Sequence, residues 1–405
     1  MGATWPSANS GAAPPSGFVV VGPPDDRRVA LFGEVLARLG LPPARVIPYV
    51  DLLAGRVALP EVVRPGAVVR IESPGKDSAT ERALLAAGAE VADEDEGRYD
   101  RITRQELARL PAERGRILPS RQWYLGLCAA LRLVEQQLER CPCHRVMNSP
   151  ADVAAMFDKR QCHERLSRHG IAVPRSPGLV RSYDELLGRM EQMRCPRVFV
   201  KPAHGSSASG VVAYEVGGHR QQATTTVEMV RRDGEVRLYN SRRIRVYHEP
   251  GEITTLIDTV CRQRVHVEQW LPKAGIEGQT FDLRVVVIAG GARHAVVRMS
   301  RSPMTNLHLL NARGNLDAVV ARMGAAAWDT ARRTCEQAAK LFPGSLYMGI
   351  DLLISPDYRS HAILEVNAFG DLLPGVLSRG VDTYTAEVLA LCGDEQAAGE
   401  GAAAR

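Results

Sequence analysis

The sequence predicts an α/β fold in which a parallel α/β domain precedes a longer region built on antiparallel hairpins. Two patterns lead there. Short apolar strands alternate with helical stripes over residues 17–88, the order expected of a parallel sheet. Further on, apolar and β-branched runs are paired across short links. The clearest pairs are 225–231 with 235–239 about Asp233-Gly234, and 346–354 with 361–366 about Ser-Pro-Asp-Tyr-Arg-Ser. At 405 residues the chain has room for two or three domains.

Residues 1–16 are rich in Gly, Ala, Pro and Ser and are expected to form a disordered arm, as is the tail 394–405. A strand at 17–21 leads into a helix at 26–39, where Val29, Phe32, Val35 and Leu36 recur at helical spacing and Gly40 follows the end. Strands are expected at 45–50 and 67–71. The second of these ends in Glu72-Ser73-Pro74-Gly75-Lys76-Asp77-Ser78, which lacks the upstream glycine of a P-loop. It does follow the C-terminal end of a strand, where parallel sheets bind ligands. The loop feeds a helix at 79–87, stopped by Gly88, and a long helix at 121–140 closes a domain spanning 17–147.

Ser149-Pro150 then reads as a helix start, with Val153, Met156, Phe157 and Leu166 on the buried face and Gly170 at the end. After a helix at 183–193, a strand at 197–201 enters the small-residue loop His204-Gly205-Ser206-Ser207-Ala208-Ser209-Gly210 and leaves as a β-branched run. A P-loop would leave into a helix. A loop between two strands can fold over phosphates and offer its amides to them, or simply turn the chain. A helix at 252–264, strands at 265–271, 282–288 and 294–299, and a helix at 328–342 follow.

The last hairpin carries the chemistry. Alternate residues of a strand share a face, so Glu365 and Asn367 point the same way, while Asp351 stands among Ile350, Leu352 and Leu353. A carboxylate in an apolar strand is costly without a partner. Two carboxylates and an amide oxygen suit Mg²⁺, although the same residues also fit an acidic hairpin facing water. Lysine use points the same way. Of 51 basic residues only five are Lys, and two of them, Lys159 and Lys201, adjoin the segments just described. Lysine offers a phosphate a compact point charge where arginine offers a broad fork.

Composition excludes little else. The net charge of +5 does not require nucleic acid as a partner, and no apolar run has the length to span a membrane. The N-terminus carries no basic leader followed by an apolar stretch, so a cytoplasmic protein is expected. Eight cysteines form no framework. Cys141-Pro-Cys143-His144 lacks a second pair at zinc spacing and reads as thiols in a reducing compartment.

In register, these pieces resemble the ATP-grasp superfamily, which includes glutathione synthetase, D-alanine–D-alanine ligase and ligases that add glutamate to protein tails. The resemblance covers about 148–375 and rests on the order Asp158-Lys159, Val200-Lys201-Pro202, the Gly205–Gly210 loop, Glu268-Gln269-Trp270-Leu271, Asp282-Leu283-Arg284, Arg298 to Asn306, Asp351 and Glu365-Val366-Asn367. It implies an α+β module of two lobes with antiparallel sheets, 148–271 and 272–393, behind the N-terminal domain. It implies that Lys159 and Lys201 touch the ATP phosphates and that Gly205, Ser206, Ser207, Ser209 and Gly210 close over them. Glu268, Gln269, Trp270 and Leu271 would form the adenine hinge. Arg284, Arg298 and Asn306 would serve the reacting groups, and Asp351, Glu365 and Asn367 would hold Mg²⁺, or Mn²⁺ in its place. Two positions depart from the pattern. Pro272-Lys273 stands where relatives carry a ribose-binding carboxylate, which makes Lys273 a nucleotide contact and Glu277 the substitute acid. Leu309-Leu310-Asn311 replaces glycine after Asn306, leaving the acceptor side open.

The activity implied is ATP-dependent joining of a carboxylate to an amine through an acyl phosphate, with small-molecule or peptide substrates. A small-molecule kinase and a non-catalytic nucleotide-binding protein are the alternatives. The oligomeric state is left open, a homodimer included.

Overall fold

The computed structural model describes residues 14–75, 77–91, 99–111, 113–205, 208–218, 220–232, 234–309, 311–370 and 373–393. Most of the expected arm, the tail 394–405, Lys76, Ser206, Ser207, Asp233 and Leu310 lie outside them, as does the side chain of His308. Ser16, assigned to the arm, is pinned: its amide donates to Gly66 O at 3.1 Å and its hydroxyl to Pro65 O at 2.6 Å.

Strands β1 (Phe18–Val21), β2 (Ala44–Ile47), β3 (Val68–Ile71) and β4 (Arg145–Val146) form a parallel sheet in the order β2-β1-β3-β4. Helices α1 (Arg27–Arg38), α2 (Tyr49–Leu53), α3 (Leu59–Val62), α4 (Ser78–Ala89), α5 (Arg104–Arg109) and α6 (Ser120–Leu138) belong to the same part of the chain. The strand expected to run to Val50 stops at Ile47, because Pro48 cannot donate to a ladder and instead starts α2.

Next come α7 (Pro150–Phe157), α8 (Lys159–Arg168) and α9 (Tyr183–Gln192), then β5 (Arg197–Pro202), β6 (Val212–Gly217), β7 (Arg220–Arg232), β8 (Glu235–Tyr247), α10 (Pro250–Cys261) and β9 (Val265–Gln269). The strands make an antiparallel sheet in the order β8-β7-β6-β5-β9. The hairpin expected at 225–239 is real but reaches much further, across polar residues such as Glu228 and Arg245, which form an ion pair at 2.6 Å between the strands.

The last part holds β10 (Gly275–Ile276), β11 (Gln279–Ile288), β12 (Gly291–Ser300), β13 (Ala312–Gly314), α11 (Leu316–Met323), α12 (Ala325–Ala339), β14 (Tyr347–Ile354), β15 (His361–Asn367) and α13 (Thr383–Cys392). Its sheet runs β13-β12-β11-β14-β15, with β10 on β11. One apolar cluster extends from Val21 and Ile71 through Leu127 and Val153 to Phe281, Leu283 and Ile350, so the parallel sheet and the last sheet share a core. The middle sheet has its own core, with Val198, Val212, Ile253 and Ile257 at its centre. Among the described residues no helix is long and apolar enough to cross a membrane.

Gly88 does not stop its helix. It lies inside α4, where a Cβ would stand 1.9 Å from Gln122 O, and the Gly126 position on α6 lies equally close to Leu84 O. The two glycines let helix backbones touch. Gly88→Ala therefore has to part α4 from α6, and we expect a loss of about 1–3 kcal/mol in urea unfolding, the usual cost of overpacking. An unchanged midpoint would show that the helices separate freely.

Candidate active site

One helix expected from Pro150 to Gly170 is two. It breaks at Asp158, whose backbone is extended (φ −89°, ψ 102°) and whose carboxylate caps α8 through the amides of Arg160 and Gln161 at 2.9 and 3.2 Å. The break puts Lys159 at the head of α8, where its amide bonds Ala203 O at 3.0 Å. Its ammonium donates to Gly205 O at 2.6 Å and lies 2.9 Å from Glu365 Oε1. His204 holds the other oxygen of Asp158 at 3.1 Å and stacks on Tyr124 at 4.0 Å between ring centroids. Burial depresses the His204 pKa to about 4 against the pull of Asp158, so the ring is neutral near pH 7. Burial alone would raise the Asp158 pKa, but the hydrogen bond from His204 and those from the helix amides hold it well below the usual carboxylate range. His204 is thus a polar strut between the loop and α8.

Lys201, near the end of β5, pairs with the buried carboxylate of Glu268 on β9. His266 Nε2 lies 3.3 Å from the second Glu268 oxygen. Burial raises the Glu268 pKa, and the Lys201 charge with His266 more than reverses this, to about 2. For Lys201 burial works downward and the charge of Glu268 upward, with a net rise. Both stay charged.

Across the last sheet the register lines up a row of charges. Arg298 on β12 faces Asp282 on β11, Arg284 on β11 faces Asp351 on β14, and Asp351 faces Glu365 on β15. Arg298 reaches Asp282 Oδ1 at 2.7 Å and Asp351 Oδ2 at 3.1 Å, while Arg284 donates to Asp351 Oδ1. Lys273 donates to Asp282 Oδ2 and to Thr305 Oγ1, each at 2.8 Å, and Thr305 donates back to Asp282. Burial works against the Asp282 charge, yet Arg298 and Lys273 hold its pKa far below the usual range. Strand alternation places the row: Phe281, Leu283 and Val285 enter the shared core, which turns Asp282 and Arg284 to the other face. A bulge after Asp351 pairs Leu352 with Ile363 and leaves Leu364 extra, so Leu364 and Glu365 both line the cleft.

These groups line one cleft of about 250 Å³. Phe199, Val211, Leu271, Met304, Leu353 and Leu364 make an apolar slot beside β9, the shape that suits a flat heterocycle. The amides of Gln269 and Trp270 are engaged by Arg175 O and Arg197 O at 2.8 and 3.0 Å, and Leu271, the next residue, lines the slot. Six cations (Arg28, Lys159, Lys201, Lys273, Arg284 and Arg298) and four carboxylates (Glu268, Asp282, Asp351 and Glu365) face the cleft among the described residues, a surplus that attracts anions.

Of the residues expected here, Lys159, Lys201, Gly205, Ser209, Glu268, Gln269, Leu271, Lys273, Arg284, Arg298, Asn306, Asp351, Glu365 and Asn367 come together. Trp270 does not: its indole packs on Phe199 at 5.4 Å and under Arg197 at 5.6 Å. Gly210 (φ +73°) packs on Pro202, where a Cβ would come within 2.6 Å of Cγ. Glu277 sits in the turn before β11 with φ +52°, away from the cleft lining. Ser73 and Gly75 do line the cleft, as the position of their loop after a strand suggested. Arg28, Trp123, Phe157 and Met304 were not foreseen. Arg28 sits among the polar positions of an amphipathic helix, and the others read as ordinary core. Among the described residues no three His, Cys, Asp or Glu side chains form a ready cation cluster, and Cys141 and Cys143 are free thiols.

No protein-family model and no curated protein matches the chain. Solved structures do. The macrocyclase MdnC from Microcystis aeruginosa MRC, bound with precursor peptide MdnA, is similar at 10% identity over 92% of this chain and 99% of that chain, with a TM-score of 0.50. D-cycloserine synthetase DcsG is similar at 13% identity over 93% of this chain and 99% of that chain, with a TM-score of 0.51. The ATP-grasp ligase PsnB, complexed with minimal precursor, is similar at 18% identity over 93% of this chain and 99% of that chain, with a TM-score of 0.49.

The Lys201–Glu268 pair generates a test. Lys201→Met leaves a buried carboxylate without its cation and should cost about 3–5 kcal/mol at neutral pH. The wild-type contribution of Glu268, whose folded pKa is lowered, is present above the ordinary glutamate range and lost as pH falls toward about 2. In Lys201→Met burial acts on Glu268 with less to oppose it, so the deficit should shrink as acid discharges the carboxyl. Adding Glu268→Gln should restore most of the stability. Equal unfolding midpoints for wild type and Lys201→Met would refute the pairing.

Proposed function

On the ATP-grasp fold, we propose that the chain is an ATP-dependent carboxylate–amine ligase, organised as an N-terminal domain (17–147) and two lobes (148–271 and 272–393). The observation that carries this reading is the charged row of Arg298, Asp282, Arg284 and Asp351, lying in one cleft with two lysines and an apolar slot. Adenine enters the slot at Leu271. Lys159 and Lys201 hold the phosphates, and the loop carrying Gly205 and Ser209 folds over them. The substrate carboxylate attacks the γ-phosphorus and displaces ADP, giving an acyl phosphate. An amine then attacks the acyl carbon, phosphate leaves, and an amide remains. Arg298 holds the charge on the transferring group, Arg284 keeps Asp351 in place beside it, and Asn306 borders the acceptor. Such transfer depends mostly on positioning and fixed charge.

Mg²⁺, or Mn²⁺ in its place, fits this donor set in part. Glu365 gives one oxygen to Lys159, and Asn367 uses its amide nitrogen on Gly349 O at 3.3 Å, which leaves hard oxygen donors on both. Asp351 holds a guanidinium on each oxygen, so an ion there would share those oxygens with arginine or displace one. Bound there, the ion would supply charge neutralisation to the phosphates. MdnC is bound with a precursor peptide and DcsG makes D-cycloserine, so peptide and small-molecule substrates both fall within this reading. All eight cysteines are free, which suits a reducing cytoplasm supplied with ATP.

The test is trapping. With Mg·ATP, hydroxylamine and a panel of amino acids and short peptides, the reading expects an acid-dependent hydroxamate with ADP as the nucleotide product. AMP and pyrophosphate would mean adenylation, and a stable phosphorylated alcohol would mean a kinase. Glu365→Gln should keep the wild-type melting temperature and lower turnover about a hundredfold or more, since metal-borne charge stabilisation is worth several kcal/mol. Near-normal turnover at saturating Mg²⁺ would remove Glu365 from the site.

A further inference from the structure

Five of the six cleft cations have a carboxylate of this chain within hydrogen-bonding reach: Lys159 has Glu365, Lys201 has Glu268, Lys273 has Asp282, Arg284 has Asp351, and Arg298 has both aspartates. Arg28 is different. Its backbone amide donates to the capping carboxylate of Asp26 at 2.7 Å, which sets it in the first turn of α1 with its side chain on the cleft. The nearest carboxylate oxygen, Glu72 Oε1, is 3.8 Å away and already accepts the Ser73 amide at 3.0 Å. The other Glu72 oxygen belongs to Arg70 at 2.9 Å. Arg28 Nε, which faces Glu72, is shut off from solvent and has no hydrogen-bond partner among the described residues, so the Nη end of the guanidinium is the part open to the cleft. A cation in the first helical turn also stands at the wrong end of the helix dipole. The long-range pairing with Glu72 is the one ion pair Arg28 makes among the described residues.

The wall around Arg28 is rigid. Arg70 is buried between Glu72 and Glu387, with its guanidinium over the rings of Phe32, Tyr347 and Tyr384. Ser73 Oγ accepts the Gly75 amide at 3.2 Å. Gly75 (φ +69°) lies against Asp26, where a Cβ would meet Oδ2 at 2.9 Å. Arg70 and the Ser73 amide thus hold the two Glu72 oxygens, and Oε1 stays 3.8 Å from Arg28. The nucleotide and metal assignments use none of Arg28, Ser73 or Gly75.

We propose that Arg28 is the recognition point for a substrate carboxylate that does not react, such as the α-carboxylate of an amino acid or the acidic side chain of a peptide. A guanidinium fork matches a carboxylate in two parallel hydrogen bonds. A single guanidinium offers one fork, which one carboxylate fills. A phosphate dianion would bring a second negative charge to the same fork, beside the buried carboxylate of Glu72. This rests on the ligase reading for the presence of an acid and an amine, and it adds the chemical class that one of them carries.

The test reads Arg28 itself. In the full chain with Mg·AMPPNP, phenylglyoxal modification is followed at Arg28 by peptide mapping. The probes are amino acids against their α-carboxamides, and peptide amides with Glu against Gln. A carboxylate probe should slow modification at Arg28 about threefold or more while its amide counterpart does not, as expected for a fork occupied by its match. Protection by free amino acids identifies an α-carboxylate, and protection by the Glu peptides alone identifies a side chain. Equal protection by amides, stronger protection by inorganic phosphate, or none from any probe overturns the site. In turnover, Arg28→Gln should raise KM for the carboxylate-bearing substrate about tenfold or more, with partial recovery in Arg28→Lys. The KM for ATP and the apo melting temperature should not move. Turnover unaffected by Arg28→Gln would overturn the site and leave the ligase reading standing. Protection of Arg28 without any ADP release would keep the site and count against that reading.

Discussion

Asp282 is the carboxylate on which the cleft is hung. It is 1% exposed and takes Arg298 from the neighbouring strand, Lys273 from the segment after β9, and Thr305 from the segment after β12. A buried charge of this kind is tolerable only when every side is met, and removing one partner strands the others. Two strands and the segments that flank them are therefore tied together at one side chain. Through Arg298 the tie passes to Asp351, and through Asp351 to Arg284 and the opposing Glu365.

The same network explains why the cleft is charged and yet quiet. Without nucleotide nearly every cation is paired with the chain's own acids, and three of the four carboxylate oxygens of Asp351 and Glu365 are engaged by arginine or lysine. On the ligase reading, phosphates take up the cations, and the carboxylates so released become available to the metal. The donors are already in place, so little reorganisation remains for the moment of transfer.

Much of this was legible in the sequence wherever one residue's role follows from periodicity. Strand alternation put Glu365 and Asn367 on one face, and both line the cleft. Where a tertiary contact overrode the local pattern, the sequence misled. Gly88 reads as a helix stop because the helix it packs against is 34 positions away at Gln122. The break at Asp158 depends on His204 and Ala203, which meet it only in the fold. The bulge that turns Leu364 inward leaves no mark on composition. Trp270 is expected in the hinge, but its indole packs on Phe199 and under Arg197.

The exchange of partners can be measured without knowing the acid or the amine. Titration of Mn²⁺ into the chain, followed by the free-ion EPR signal, reports metal affinity with and without AMPPNP. If the carboxylates are held by the chain's own cations until phosphates arrive, Mn²⁺ alone should bind weakly. AMPPNP should then tighten Mn²⁺ binding about tenfold or more beyond the metal affinity of free AMPPNP, with a reciprocal gain in nucleotide affinity. Tight Mn²⁺ binding in the absence of nucleotide, unchanged by AMPPNP, would contradict this account.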